Sequence, residues 1–301
     1  MKKDIVISAM SNYEWKHLKN WFFSLKETGY QGDIAVILYN DPYNVKKKLL
    51  ENNIIIYEPK GNHYRQYMTF LPEKKSKIRY VLNKLGLYNS KEHIASNPVV
   101  VDRFFHMWDF FNNIKQDYDR VISTDIRDII FQKDPFNWLD DHLGEHLLIA
   151  SSEGLKYQYE TWGIKNNEDS YGKTIAKSML NNIIINAGVF GGNVKFIKDL
   201  CLVNYLMSFG SDVHNPDQAM YNLLLGTELI KDKIKLTTSA DTFAAQLGVI
   251  MEDRYHKNIS EKRPSIKENL VINDRQEIYA IVHQYDRNAS LKRYYDNKYA
   301  Q

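Results

Sequence analysis

A single cysteine, Cys201, leaves the chain of 301 residues without a second thiol for an internal disulfide, so the fold must be held by its core. Cys201 lies in an apolar, helix-like stretch and reads as a small buried hydrophobe. No run approaches the roughly 18 apolar residues of a membrane span. Met1-Lys2-Lys3-Asp4 passes straight into an apolar strand with no signal-peptide core, so a cytoplasmic, reducing compartment is expected. Charge of one sign is also scarce: 40 Lys and Arg against 37 Asp and Glu leave a net +3 with no long like-charge tract. Nucleic acid is therefore not an expected partner. Internal repeats and low-complexity tracts are absent as well.

What the chain does have is apolar and aromatic mass, with 44% hydrophobic residues, 13% aromatic residues and 21 tyrosines. Tyrosine joins an apolar face to a polar tip, which suits both core packing and contact with sugar rings or bases. The length allows a large core, and one domain over residues 1–290 is expected, with 291–301 as a polar tail. Ile5-Val6-Ile7-Ser8-Ala9 reads as a strand, and Trp15, Leu18, Trp21, Phe22 and Leu25 then recur at helical spacing up to Gly29. Residues 34–39 and 54–57 are further strands separated by a helix. Strands alternating with helices predict an α/β, Rossmann-like fold with a mostly parallel central sheet flanked by helices. The sequence after the first strand is Met10-Ser11-Asn12, with no G-x-G-x-x-G, which argues against a dinucleotide site.

Residues 60–98 form a basic, aromatic excursion between core segments, either a flap facing phosphate or acceptor or a solvated helical pair. A strongly apolar helix over 99–114 follows, and within it Arg103 needs an anion. The segment Arg120-Val121-Ile122-Ser123-Thr124-Asp125-Ile126-Arg127-Asp128-Ile129-Ile130-Phe131 is the centre of the chain. It puts two carboxylates at the mouth of a buried strand, where open α/β sheets hold ligands. A divalent cation on a nucleotide diphosphate would satisfy them. A loop in which Asp125 or Asp128 caps and pairs with Arg127 is the plainer alternative. Leu147 to Ala150 makes another strand, leading into a polar and aromatic loop over 151–163 that holds Glu153, Tyr157, Tyr159, Glu160 and Trp162. Residues 183–193 read as a strand pair with small residues at its middle, and a helix over 195–209 follows. Asn215-Pro216-Asp217-Gln218 opens the next helix, and a late strand over 278–282 delivers His283.

In this order the motifs resemble the GT-A class of nucleotide-sugar-dependent glycosyltransferases, in the branch of glycogenin and the lipopolysaccharide galactosyltransferases. The resemblance runs over residues 4–287 in motif order, with close matches only in short pieces. It implies a GT-A fold and transfer of a sugar from a nucleoside-diphosphate sugar, UDP first and GDP second, to a hydroxyl of a glycan or glycoconjugate acceptor. Mn or Mg is the implied cofactor, with Asp125 at the first aspartate of the metal motif and His283 as the late ligand. Arg127 stands where the second aspartate belongs, and Asp128 is one residue further on. Either Asp128 takes the ligand role or Arg127 meets phosphate without a metal. The resemblance further implies that Ser8, Ala9, Asn12, Arg103, Thr124, Asp125 and Arg127 contact the nucleotide. It sets Asn186, Ala187 and Gly188 under the donor sugar and Asp217 and Gln218 beside the anomeric carbon. Glu153, Tyr157 and Trp162 are the expected acceptor residues, because sugar C–H faces stack on aromatic rings and hydroxyls need polar partners. The branch retains configuration at that carbon. A non-catalytic sugar-nucleotide or glycan binder on the same fold is one competing reading. The other is a sugar nucleotidyltransferase, which would carry a Gly-rich basic loop after the first strand.

Overall fold

The computed structural model describes residues 3–59, 99–209, 213 and 215–300, so the excursion over 60–98 lies outside the described residues. The chain opens with strand β1 (Asp4–Met10), helix α1 (Lys19–Glu27), β2 (Asp33–Leu38), α2 (Val45–Glu51) and β3 (Ile55–Tyr57). Helix α3 (Val99–Asn113), β4 (Arg120–Thr124), β5 (Ile129–Phe131), α4 (Pro135–His142) and β6 (Leu148–Lys156) form the middle. Next come α5 (Thr161–Tyr171), α6 (Lys173–Met179), β7 (Ile183–Asn193), α7 (Val194–Ser208), α8 (Pro216–Leu225) and β8 (Ile234–Thr237). The chain closes with β9 (Ala244–Gln246), β10 (Ser265–Lys267), β11 (Leu270–Ile272), β12 (Ile281–His283) and α9 (Ala289–Lys298).

Seven strands form the central sheet in the order β3-β2-β1-β4-β7-β6-β8. All neighbours are parallel except at β7, which runs antiparallel to both β4 and β6. This is the mostly parallel sheet that the alternating strands and helices predict. Both of its faces are covered, which is why β1, β2 and β4 read as continuous apolar runs. Val6, Val36 and Ile122 pack with Trp21, Phe22 and Leu25 of α1 on one face. Ile5, Ile7 and Val121 pack on the other with Phe104, Met107 and Phe110 of α3 and Ile197 and Cys201 of α7. The α3 residues recur every three positions, so one stripe of that helix is buried. Truncating a core aromatic such as Trp21, fully enclosed here, costs about 3–5 kcal/mol.

A second sheet has three short strands in the order β5-β12-β9. It packs Ile130, Ala245 and Val282 with Leu291, Tyr295 and Tyr299, the last three from the region of α9. The expectation of a polar tail over 291–301 is therefore corrected. Asn288 caps α9 by accepting from the Leu291 N–H, and the helix buries Leu291 and Tyr295. Charged residues on its outer face dilute the apolar signal. Two further corrections concern loops. The stretch from Ser151 continues strand β6 to Lys156, and α5 begins at Thr161, with Glu160 accepting from the Trp162 and Gly163 N–H groups as its cap. Residues 183–193 are one strand, not two.

Candidate active site

Strand order places the site. The chain leaves β1 for β2 on one side of the sheet and returns as β4 on the other, so a crevice opens at the carboxyl ends of β1 and β4, where ligands of open α/β sheets bind. Asp125 follows β4 at that point, and its N–H donates to the Gly188 carbonyl at 2.7 Å. Asp128 directly precedes β5, whose Ile129 stands opposite His283 of β12. The two sheets thus bring ligand atoms of Asp125, Asp128 and His283 within 4.8 Å of one another.

His283 Nε2 is buried without a hydrogen-bond partner, 3.5 Å from Asp125 Oδ2 and 3.7 Å from Asp128 Oδ1. Its Nδ1 lies 2.7 Å from Gln246 Oε1. A buried, unpaired ring nitrogen facing two carboxylates is a donor set that fits a divalent cation of the Mn or Mg type. Arg127 is not part of the cluster: its side chain is 52% exposed, and its Nη2 is 3.9 Å from Asp286. Of the two residues the sequence left open, Asp128 is the one in the cluster.

Gly188 makes this approach possible. A Cβ there would lie 2.7 Å from Asp125 Oδ2 and 2.8 Å from His283 Cε1, so only glycine fits without displacing both. The neighbouring backbone is shaped by a register shift between β6 and β7, where Ala150 pairs with Phe190 but Ser151 pairs with Asn186. The backbone groups released there find side-chain partners on α8 and α3. Gln218 accepts from the Ala187 N–H and donates to the Ile185 carbonyl. Asn222 bonds both the N–H and the carbonyl of Ile185. Arg103 Nη2 reaches the Ala187 carbonyl at 3.1 Å.

Arg103 also pairs with Asp125 through Nη1 and, at 3.4 Å, with Asp217 Oδ2. Burial pushes the Asp125 carboxyl up, but Arg103 and then His283 outweigh it and hold the group well below the usual carboxylate range. Burial dominates at Asp217, whose carboxyl is pushed up to about 6 against the pull of Arg103. Asp217 Oδ1 is buried and unpartnered. Burial likewise raises Asp128 and Glu153. For His283, burial works against protonation, yet the nearby carboxylates of Asp125, Asp128 and Glu153 raise it overall.

Two cavities meet at Arg103 and Asp125. The smaller, about 320 Å³, is lined by Ala9, Asn12, Tyr13, Val100, Arg127 and Asp128 among others. Asn12 takes a left-handed backbone conformation there and is tied to Asn40 by its N–H and its Oδ1. The larger, about 800 Å³, is lined by Glu153, Tyr157, Trp162, Asn186, Gly188, Asp217, Gln218 and His283, with Val249, Met251, Arg254 and Arg287 on its far wall. Trp162 is 52% exposed, so it is a surface of this cavity and not a core anchor. Tyr159 does not line it, and Glu160 is taken up as helix cap and by the Tyr255 hydroxyl. A third cavity of about 690 Å³ lies apart, beside Trp138 and His142. Among the described residues no second Asp/Glu/His/Cys cluster of metal-ligand geometry exists there or elsewhere.

Not every expected residue reaches the crevice. Ser8 is buried and donates to the Thr124 carbonyl, while the Thr124 hydroxyl accepts from Trp21 Nε1. Both side chains lock β1, β4 and α1 together and line neither cavity. Ala187 contributes backbone only. Tyr13 and Gln246 were not singled out in the sequence. Tyr13 carries an aromatic ring in the first loop, a signal that was available, whereas Gln246 stands in an aperiodic stretch with no local mark.

No protein-family model matches the sequence, and no curated protein matches it significantly. Solved structures do match in shape. The galactosyltransferase LgtC in complex with donor and acceptor sugar analogues aligns over 93% of this chain and 86% of that one, at 18% identity and a TM-score of 0.48. An active-site mutant of LgtC aligns over the same shares, 93% and 86%, at 14% identity and a TM-score of 0.52. The chain therefore has the fold of that galactosyltransferase, the GT-A fold. Among the described residues no helix is long and apolar enough to cross a membrane.

Proposed function

We propose that this protein is a glycosyltransferase that moves a sugar from a nucleoside-diphosphate sugar to a hydroxyl of a glycan or glycoconjugate. The observation that carries the reading is the Asp125–Asp128–His283 cluster standing where two cavities meet at the carboxyl ends of a GT-A sheet. The smaller cavity suits the nucleoside, held by the loop from Ala9 to Tyr13. The larger suits the donor sugar and the acceptor. By resemblance the nucleotide is UDP, with GDP second. Asp125, Asp128 and His283 would hold Mn or Mg, and the imidazole favours Mn. When bound, the cation supplies charge neutralisation for a departing diphosphate.

The chain's own groups do the rest. Arg103 places a guanidinium between Asp125 and Asp217 and within reach of the donor phosphates. Asp217 lines the cavity, its Oδ1 buried and unpartnered beside it, and stabilises positive charge at the anomeric carbon. Gln218, its amide taken up by β7, fixes the floor of the donor-sugar site formed by Asn186, Ala187 and Gly188. Trp162 offers its ring to the acceptor and Glu153 a hydroxyl partner, whereas Tyr157, expected beside them, is only 2% exposed and supports the wall from beneath. Retention of configuration is the outcome favoured by the resemblance. The catalytic domain would run on through α9, whose Leu291 and Tyr295 pack against the sheet that carries His283. A nucleotidyltransferase is disfavoured because the loop after β1 carries no Gly-rich basic sequence, its Asn12 being tied instead to Asn40.

Calorimetric titration with UDP, GDP, dTDP and CMP sugars, with Mn²⁺ or with chelator, tests the reading. Binding of one UDP sugar is expected in Mn²⁺, lost with chelator and in Asp125→Ala, and accompanied by slow donor hydrolysis. No response to any donor would sink the proposal. Binding without hydrolysis or transfer would leave a non-catalytic binder. Binding indifferent to chelator would move the diphosphate onto the arginines.

A further inference from the structure

The three-stranded sheet is small for its contents. In a few residues it places Asp128 at the start of β5, His283 at the end of β12 and Gln246 at the end of β9, with His283 and Gln246 paired in register on parallel strands. Gln246 is 4% exposed, and its Oε1 lies 2.7 Å from His283 Nδ1. The Gln246 Nε2 is buried and makes no hydrogen bond. As core material this is a poor choice, because a buried amide group without a partner is costly and an aliphatic side chain would pack there at no such cost. The one bond Gln246 does make is to the ring. Because Oε1 can only accept, Nδ1 must carry the proton, and the neutral ring then directs a bare Nε2 lone pair at Asp125 and Asp128.

We propose that Gln246 is a positioning residue for the cation site, fixing the tautomer and orientation in which His283 serves as a ligand. The inference rests on the cation reading above and adds to it a residue outside the ligand set. Outer partners of this kind raise ligand basicity and remove the freedom of the ring to turn away.

The test measures metal affinity. Free Mn²⁺ is followed by electron paramagnetic resonance in the presence of saturating UDP, and Mg²⁺ affinity is obtained by competition. Gln246→Met, similar in shape but unable to accept from Nδ1, should weaken Mn²⁺ binding by about 10–100-fold. Mg²⁺, held mainly through carboxylate and phosphate oxygens, should be weakened far less. Gln246→Glu restores an acceptor and should return Mn²⁺ binding to the wild-type range. Gln246→Asn, one methylene short of Nδ1, should repeat the Met result should that variant not fold. Unchanged Mn²⁺ affinity in Gln246→Met, equal losses of Mn²⁺ and Mg²⁺, or failure of Gln246→Glu to restore binding would each overturn the inference alone. Wild-type protein that takes up no Mn²⁺ would overturn the cation reading and this inference with it.

Discussion

A buried arginine stands at each end of strand β4, and the two are finished differently. At the start, Arg120 bonds both oxygens of Asp4, at 2.8 and 2.7 Å, and Asp140 at 2.7 Å, with its guanidinium over the Phe136 ring. The guanidinium there is fully engaged by two carboxylates and the geometry is closed. At the other end, Arg103 is divided between Asp125, Asp217 and a backbone carbonyl, and Asp217 Oδ1 and His283 Nε2 remain without partners beside it. The first arrangement holds the sheet to α4. The second leaves polar capacity unspent at the mouth of a cavity, which a folded protein tolerates where a ligand will complete it.

Substituting the two arginines is the strongest way to break the comparison. Arg120→Met should cost about 3–5 kcal/mol in urea denaturation, since it strands Asp4 in a mostly buried position, and should leave donor affinity of the folded fraction unchanged. Arg103→Met should lower donor affinity or turnover by about 100-fold or more, with the smaller loss of stability, because Asp217 can take up a proton when its partner is gone. Equal stability losses would erase the distinction.

A subtler test uses pH. The folded-state value of Asp217 is raised from 3.8 to about 6, so the folded protein holds its proton more tightly than the unfolded chain. Stability contributed by this group is present at low pH and is lost as pH climbs through that interval, by a total of order 3 kcal/mol above it. Asp217→Asn removes the dependence. Its stability relative to wild type should therefore rise across this window and level off at neutral pH, while transfer activity falls. A difference that does not vary with pH would mean that Asp217 is not the strained group it is taken to be here.

The smallest effect on stability belongs to Trp162→Ala. With half its surface in solvent, the ring should be removable within about 0.5 kcal/mol. Weaker use of the acceptor, with donor hydrolysis kept, should be the measurable change. Transfer to acceptor left intact would remove Trp162 from the acceptor site.

Much of this was legible in the chain. The alternation of apolar strands and amphipathic helices predicted the sheet, and Asp125 and Asp128 stood out because carboxylates at the mouth of a buried strand need a partner, whereas Asp217 and His283 came only with the resemblance. What stayed hidden has a physical reason in each case. Ser8 and Thr124 lie on strands buried on both faces, where no alternation tells which side chains point at the crevice and which at α1. The three residues of β9 are too few to show a period. The link between Gln246 and His283 spans many residues of chain and exists only after folding. The register shift in β7 left its mark in the small residues Ala187 and Gly188, but the stretch was divided into two strands because a side-chain substitute for strand pairing has no signature in one sequence.

That substitute couples two things usually separate. At Ile185 and Ala187 the hydrogen bonds normally supplied by a neighbouring strand come from Gln218 and Asn222 of α8, the helix that also carries Asp217. If α8 opens locally, Ile185 and Ala187 lose these bonds at the same moment, and if β7 is ordered, the helix is held in place. The bed for the sugar and the carboxylate that faces it therefore form a single cooperative unit, and hydrogen exchange at those two amides reads out the integrity of the helix.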